Sequence, residues 1–143
     1  KYIVTVGQIK SPEIRKNIVM KLYRYRVEFP IIVSPTAYVS PRASIGEGTI
    51  IMHKAVLNAG VRVGVHCIVN SAALLEHDAE IGDFCHISTG AIVNGEAKIG
   101  GYSFIGSNST INQLVQIPEN VVVGSGTTVR KRDTIPSGTI YVS

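Results

Sequence analysis

Tryptophan is absent from the 143 residues, aromatic side chains make up only 6% and charged ones only 17%. So few rings leave little to stack on bases, and the only basic cluster is Arg130-Lys131-Arg132, so no nucleic acid is expected as a partner. A net charge of +4 is mild and leaves a phosphate-bearing small molecule open. Two cysteines, Cys67 and Cys85, are too few for the disulfide framework of a small secreted domain. No stretch approaches the roughly 18 uninterrupted apolar residues of a spanning helix, so no membrane span is expected. No secretory leader is expected, and a first residue of Lys rather than Met reads as the start of a piece of a longer protein. What is abundant is small or branched: 45% of residues are hydrophobic and 14 are Gly, which argues against disorder and allows one domain with a sizeable core.

The apolar residues are periodic. Every sixth residue from Val33 to Ile135 is Val, Ile or Leu, 18 positions without a slip. Two residues before each lies a second column, from Ala37 to Asp133, in which 16 of 17 residues are Ala, Ser, Thr, Val or Cys and only Asp133 departs. Both cysteines belong to this small-residue column, 18 apart. Residues i−2 and i of a strand point to one side and i−1 to the other, so each hexad is a short strand with one small and one large inward residue. A turn follows, often with Gly after the aliphatic, as in Ile45-Gly46, Ile81-Gly82 and Ile105-Gly106, which suits a corner. Three hexads make an 18-residue triangular coil, and residues 18 apart stack at about 4.8 Å, one strand spacing. The expected fold is therefore all-β, a parallel β-helix of about six coils over residues 31–143, in which stacking supplies the core.

Residues 1–30 read differently. Tyr2–Val6 has strand character, and Ser11 and Pro12 suit the N-cap and first turn of a helix carrying Ile14, Ile18, Leu22 and Tyr25 on one stripe. One β-α unit cannot bury itself, so this segment is expected to be the remnant of a truncated α/β domain.

Sorting the outward residues separates partner from solvent. The first face presents Ser44, Arg62, Glu80, Lys98, Gln116 and Thr134, all polar. The second presents Ile32, Ile50, Ile68, His86, Phe104 and Val122, and the third Tyr38, Val56, Leu74, Ile92, Thr110 and Thr128. Two apolar stripes that a monomer should not expose suggest a closed ring, the second face of each subunit on the third face of its neighbour, and a homotrimer is expected.

Two of the four histidines, His53, His66, His77 and His86, stand out. His86 interrupts an apolar stripe and is expected to face the neighbouring subunit, either at a groove or as a satisfied interface histidine. His77 sits on a corner between Glu76 and Asp78, with Ala59 below and Gly95 above leaving space around the ring. An adjacent acid can fix the imidazole tautomer and stabilise its protonated form, as a general base requires. A solvated loop histidine is the competing reading of the same residues.

The run Leu75-Glu76-His77-Asp78-Ala79-Glu80-Ile81-Gly82-Asp83-Phe84-Cys85-His86-Ile87-Ser88 resembles the signature of the NeuD/PglD-family sugar acetyltransferases, hexapeptide-repeat enzymes built on a left-handed β-helix. Val6-Gly7-Gln8, Glu13-Ile14-Arg15 and Phe29–Ala37 resemble the exit from that family's Rossmann-like, nucleotide-sugar-binding domain. The resemblance implies an acetyl-CoA-dependent, cytoplasmic enzyme of bacterial glycan synthesis, acting on a nucleotide-linked amino sugar, with O-acetylation of sialic acid or another sugar as the alternative. It also implies roles: His77 as general base, Asp78 as its orienting acid, and His86 on the acetyl donor. Gly95 would offer its N–H to the thioester oxygen, and Asn70 would lie at the acceptor site. Ser107 and Ser125 would meet pantetheine, and Arg130 and Lys131 the phosphates of coenzyme A; a solvated helix end is the other reading of those two cations. The Gly-x-Pro-Ala-Lys ending common in such enzymes is not found, since the sequence stops at Tyr141-Val142-Ser143. No metal is expected: a γ-type carbonic anhydrase of this fold needs two histidines five residues apart, and no pair here has that spacing. A non-catalytic β-helix scaffold is the remaining rival, though it would need neither the Glu-His-Asp turn nor the glycine-rich Gly124-Ser125-Gly126 coil.

Overall fold

A computed structural model describes residues 1–9 and 11–142. The hexads form two-residue strands that stack in three parallel sheets, one per face: seven strands on the second face, six on the third and five on the first. The register is 18 throughout, as in Ile68↔His86↔Phe104 on the second face and Leu74↔Ile92↔Thr110 on the third. This is the parallel β-solenoid of about six coils expected from the period, with the two inward columns forming one continuous core from Ile51 to Ile135. The last coil departs on the first face. Thr134-Ile135 forms no strand, although Ile135 remains buried, and Asp133 instead turns its carboxylate to accept the Arg130 N–H at 2.7 Å. Strand Ile140–Tyr141 then restores the register on Val122–Val123.

The corners follow a rule that the sequence did not advertise. At 15 corners the residue three past the large aliphatic has positive φ, and ten of these are not Gly, among them His66, Asp78 and Phe84. The glycine directly after the aliphatic answers a different need. A Cβ on Gly46 would stand 2.6 Å from the Gly64 backbone, so Gly there permits coil-to-coil approach rather than an unusual φ.

The small-residue column under the second face carries donors for a reason. Thr49 Oγ1 donates to the Gly64 carbonyl at 2.8 Å, Cys67 Sγ to Gly82 at 3.1 Å, Cys85 Sγ to Gly100 at 3.2 Å and Ser103 Oγ to Pro118 at 3.2 Å. Both cysteines are free and buried, and burial pushes the Cys67 thiol well above its ordinary range, away from thiolate chemistry. Each thiol therefore works as a small hydrophobe that satisfies an inward carbonyl. Cys67→Ala is expected to destabilise the protein by about 1–3 kcal/mol, the cost of orphaning a buried carbonyl, and Cys67→Ser by less. Denaturant unfolding of the two variants checks the order.

The described residues up to position 30 contain one helix, α1 (Glu13–Tyr23), and no strand. Among the described residues Tyr2–Val6 has no neighbouring strand to ladder with; the Tyr2 N–H donates to the Glu28 carbonyl at 2.9 Å, and the Val4 and Val6 carbonyls accept from the Arg15 side chain. Pro12 occupies the N-cap position, so the helix starts one residue later than expected, and Ser11 Oγ accepts the Glu13 N–H at 3.2 Å. The buried stripe is also rotated from expectation: Ile14 and Tyr25 are exposed, whereas Arg15 and Val19 face inward. The segment packs on the corner between the first and second faces, where Val4, Val19 and Phe29 meet Phe84. There the Tyr23 hydroxyl bridges Glu47 at 2.5 Å and His66 Nε2 at 2.8 Å, and His66 stacks on Phe84 with ring centres 5.1 Å apart. Burial first, then the Glu47 carboxylate, pushes the Tyr23 hydroxyl up to about 12. Burial first, then the Arg15 cation, lowers the His66 imidazole, so this histidine is a structural contact in its neutral form.

Candidate active site

The corner that follows strand Leu74–Leu75 lifts His77 off the solenoid, and its geometry fixes the ring. His77 Nδ1 lies 3.1 Å from Asp78 Oδ2. A carboxylate only accepts, so Nδ1 carries the proton and Nε2 keeps a free lone pair. Asp78 reaches this position through a positive φ of 59°, and its other oxygen rests on Gly60, where a Cβ would come within 2.1 Å. Gly95 lies one coil above. A Cβ there would stand 2.5 Å from His77 Nε2 and 2.7 Å from Cε1, so only Gly lets the basic edge of the ring sit where it does. Among the described residues the Gly95 N–H meets no protein acceptor. His77 and Gly95 line an open groove of about 550 Å³ with Glu76, Asn94, Gln113 and Lys131. Glu76 is itself held by Asn58 Nδ2 at 2.8 Å.

Lys131 stands three coils above His77 in the same column, about 14 Å away at one strand spacing per coil. A cation thus sits at the far end of the groove from the base. Arg130 is exposed on the adjoining column with its backbone N–H on Asp133, outside the residues that line the groove.

The remaining expected site residues gather elsewhere. Asn70 Nδ2 and His86 Nε2 are 3.3 Å apart at the edge of an apolar cavity of about 480 Å³ over the second face. Ser107 Oγ meets Ser88 Oγ at 2.9 Å on the corner between the second and third faces, and Ser125 stacks one coil above, where the Gly126 N–H bonds the Ser107 carbonyl at 2.8 Å. A Cβ on Gly126 would meet nothing within 4 Å, so this end of the corner is open to a thin ligand. One chain therefore does not bring His86, Asn70, Ser107 or Ser125 to the His77 groove.

The second face also differs from expectation. Its middle is not bare: residues of the same chain's amino-terminal segment wall the cavity over Ile50 and Ile68, and Ile68, His86 and Phe104 are each 8% exposed. His86 Nδ1 bonds the Gln8 carbonyl at 2.7 Å, so the ring is held by its own chain rather than left facing outward. Burial lowers the His86 imidazole, with the Gln8 bond opposing, and the neutral form prevails. On the third face Tyr38 remains 55% exposed, and Val56, Leu74 and Ile92 are half-buried. Sequence reasoning gave no site role to Gln8 and Arg15, although both lie in motifs quoted for the resemblance, and it missed Gly60; the hexad period does not reach the first two, and only the stacking offset from Asp78 marks the third.

Comparison with known proteins finds the same fold in solved structures. No protein-family model and no curated sequence matches the chain significantly. Among solved structures, the acetyltransferase domain of PglB from Neisseria gonorrhoeae superposes with a TM-score of 0.87 at 34% identity, covering 92% of this chain and 63% of that one. PerB from Caulobacter crescentus, in complex with CoA and GDP-perosamine, gives 0.87 at 26% identity, with 92% and 63% covered. WeeI from Acinetobacter baumannii gives 0.87 at 25% identity, with 94% and 65% covered. The chain spans less than two thirds of the length of each.

Proposed function

We propose that this chain carries the transfer centre of an acetyl-CoA-dependent sugar acetyltransferase, from the premise that its coils are those of a NeuD/PglD-like hexapeptide-repeat acetyltransferase. The observation that carries the reading is the His77 ring, its Nδ1 proton held by Asp78 and its Nε2 lone pair turned into the groove against Gly95. Acetyl-CoA supplies the acetyl group as an activated thioester. His77 Nε2 takes the proton from the acceptor amine or hydroxyl as that group attacks, and Asp78 stabilises the imidazolium that results. The unpaired Gly95 N–H offers a donor to the oxygen on which charge develops; the C–S bond then breaks, and CoA leaves as the thiol with the proton returned from the His77 imidazolium. Lys131 supplies a cation for a phosphate at the groove's far end. No covalent acyl-enzyme is required, since the buried cysteines face the core.

The acceptor we favour is a nucleotide-linked amino sugar, N-acetylated for surface glycan synthesis, because PerB was solved with CoA and GDP-perosamine. Residues 1–30 are assigned to the end of the acceptor-binding α/β domain, and residues 31–143 to the acyltransferase domain. A homotrimer accounts for the separation of the candidate residues. The His77 corner borders the third face, and His86 lies on the second. A ring that packs one on the other sets the His77 of one copy beside the His86 cavity of the next.

Turnover of acetyl-CoA by the intact protein, followed as thiol release across UDP- and GDP-linked amino sugars and free sialic acid, tests the reading. Amide formation on a nucleotide amino sugar supports it. Ester formation on sialic acid alone moves the function to O-acetylation, and failure of acetyl-CoA to bind in calorimetry returns the solenoid to a scaffold role.

A further inference from the structure

Among the described residues Arg15 is a buried cation without a carboxylate partner. The residue is 1% exposed, and among the described residues every group its side chain bonds is a backbone carbonyl. Nε donates to His66 at 3.2 Å on the solenoid corner, while Nη1 donates to both Val4 and, at 3.0 Å, Val6 in the amino-terminal segment. A guanidinium can span such a set because its five N–H groups point in fixed, diverging directions. Arg15 thus ties residues 4–6 to the β-helix from the first turn of α1.

Two residues further on, Gln8 brackets the next coil. Its side-chain Nε2 donates to the Phe84 carbonyl, and its backbone carbonyl accepts from His86 Nδ1 at 2.7 Å. A carbonyl has no proton to give, so this contact places the His86 proton on Nδ1. Nε2 is left as the acceptor, meeting Asn70 Nδ2 at 3.3 Å at the edge of the cavity walled by Ile3, Thr5 and Gly7. Each link in this line, from Arg15 through Val4 and Val6 to Gln8 and His86, is a direct bond or a stretch of two residues.

We propose that Arg15 is a positioning residue for His86: by clamping residues 4–6 it presents the Gln8 carbonyl to Nδ1 and so sets the tautomer in which Nε2 accepts. The amino-terminal segment then does more than lead into the β-helix, since it determines which nitrogen His86 offers to a ligand. The tautomer stands on geometry alone; its bearing on acetyl transfer rests on the placing of His86 at the donor under the proposed function.

Nitrogen-15 NMR of the imidazoles in the intact protein at neutral pH tests the assignment. The wild-type His86 is expected to show a protonated Nδ1 and a pyridine-like Nε2, and a protonated Nε2 there overturns the proposal without any variant. Arg15→Met is expected to convert His86 to a mixture of tautomers while the His77 signals keep their positions, and Arg15→Lys to restore part of the wild-type pattern. Gln8→Ala retains both the carbonyl and the Arg15 clamp, so its His86 should keep Nδ1 protonated. If Gln8→Ala scrambles the tautomer and Arg15→Met does not, the Gln8 side chain is the positioning group and Arg15 is not. KM for acetyl-CoA is expected to rise about three- to tenfold in Arg15→Met, the worth of one hydrogen bond, with kcat changing less. A shifted tautomer with unchanged KM keeps the positioning role and removes His86 from the donor site.

Discussion

Replacing His77 with Ala is expected to lower kcat for acetyl transfer about 10²–10⁴-fold, the usual contribution of a positioned proton acceptor. The effect should fall on kcat and on kcat/KM alike, because nothing in the geometry gives the ring a grip on the ground-state donor. The His77 side chain is 56% exposed and its bond to Asp78 is confined to the same corner, so thermal stability should stay close to that of the parent. Asp78→Asn separates orientation from basicity. An Asn amide turned toward the ring donates to Nδ1 and draws the proton onto Nε2, which removes the basic lone pair from the groove while keeping the ring and the corner. A loss approaching that of His77→Ala, with Tm unchanged, is therefore expected for Asp78→Asn. Full transfer by His77→Ala, measured on the intact protein with whichever acceptor the parent turns over, would sink the base assignment.

The fold was legible because it is one rule repeated. A Val, Ile or Leu at every sixth position and a small residue two before it are sufficient for triangular coils, since the narrow interior admits one large and one small side chain per strand. The rule ran out where the chain ceased to repeat. Tyr2–Val6 has strand-forming residues, but a strand needs a neighbour, and that is a tertiary fact. In α1 the apolar residues alone placed Ile14 on the buried stripe. The actual stripe is anchored by Arg15, a charge that hydrophobic periodicity counts as outward.

The site was legible in part for the same reason. Stacking by 18 put Gly95 over His77 from the sequence alone, and the ring contacts agree. What could not be read was which faces remain bare. The second-face stripe around His86 looked free because its cover comes from Gln8, 78 positions away and outside the repeat. Nor does periodicity tell a corner glycine that has positive φ from one needed for close approach; Gly126 is of the first kind and Gly46 of the second.

That distinction gives Gly95→Ala its expected result: a fall in kcat of about a hundredfold or more with little change in stability. Gly95 does not have positive φ, so Ala carries no backbone strain there. The added Cβ would stand 2.5 Å from His77 Nε2, and one of the two must move. The ring is the end of a flexible, half-exposed side chain, so it yields by rotating out of the groove. A displacement on the order of 1 Å is enough to cost about 10² in rate when a reacting group must be aligned. The Gly95 N–H survives the substitution, so the loss reports the ring and not the oxyanion donor. The double variant His77→Ala with Gly95→Ala should accordingly be no slower than His77→Ala alone, since the ring that the methyl displaces is already gone. Gly46→Ala provides the contrast: its Cβ meets the Gly64 backbone at 2.6 Å, which no rotamer relieves, so its cost should appear in Tm. Full activity in Gly95→Ala would mean that His77 does not work from the position seen here, and multiplying losses in the double variant would mean that Gly95 acts on something other than the ring.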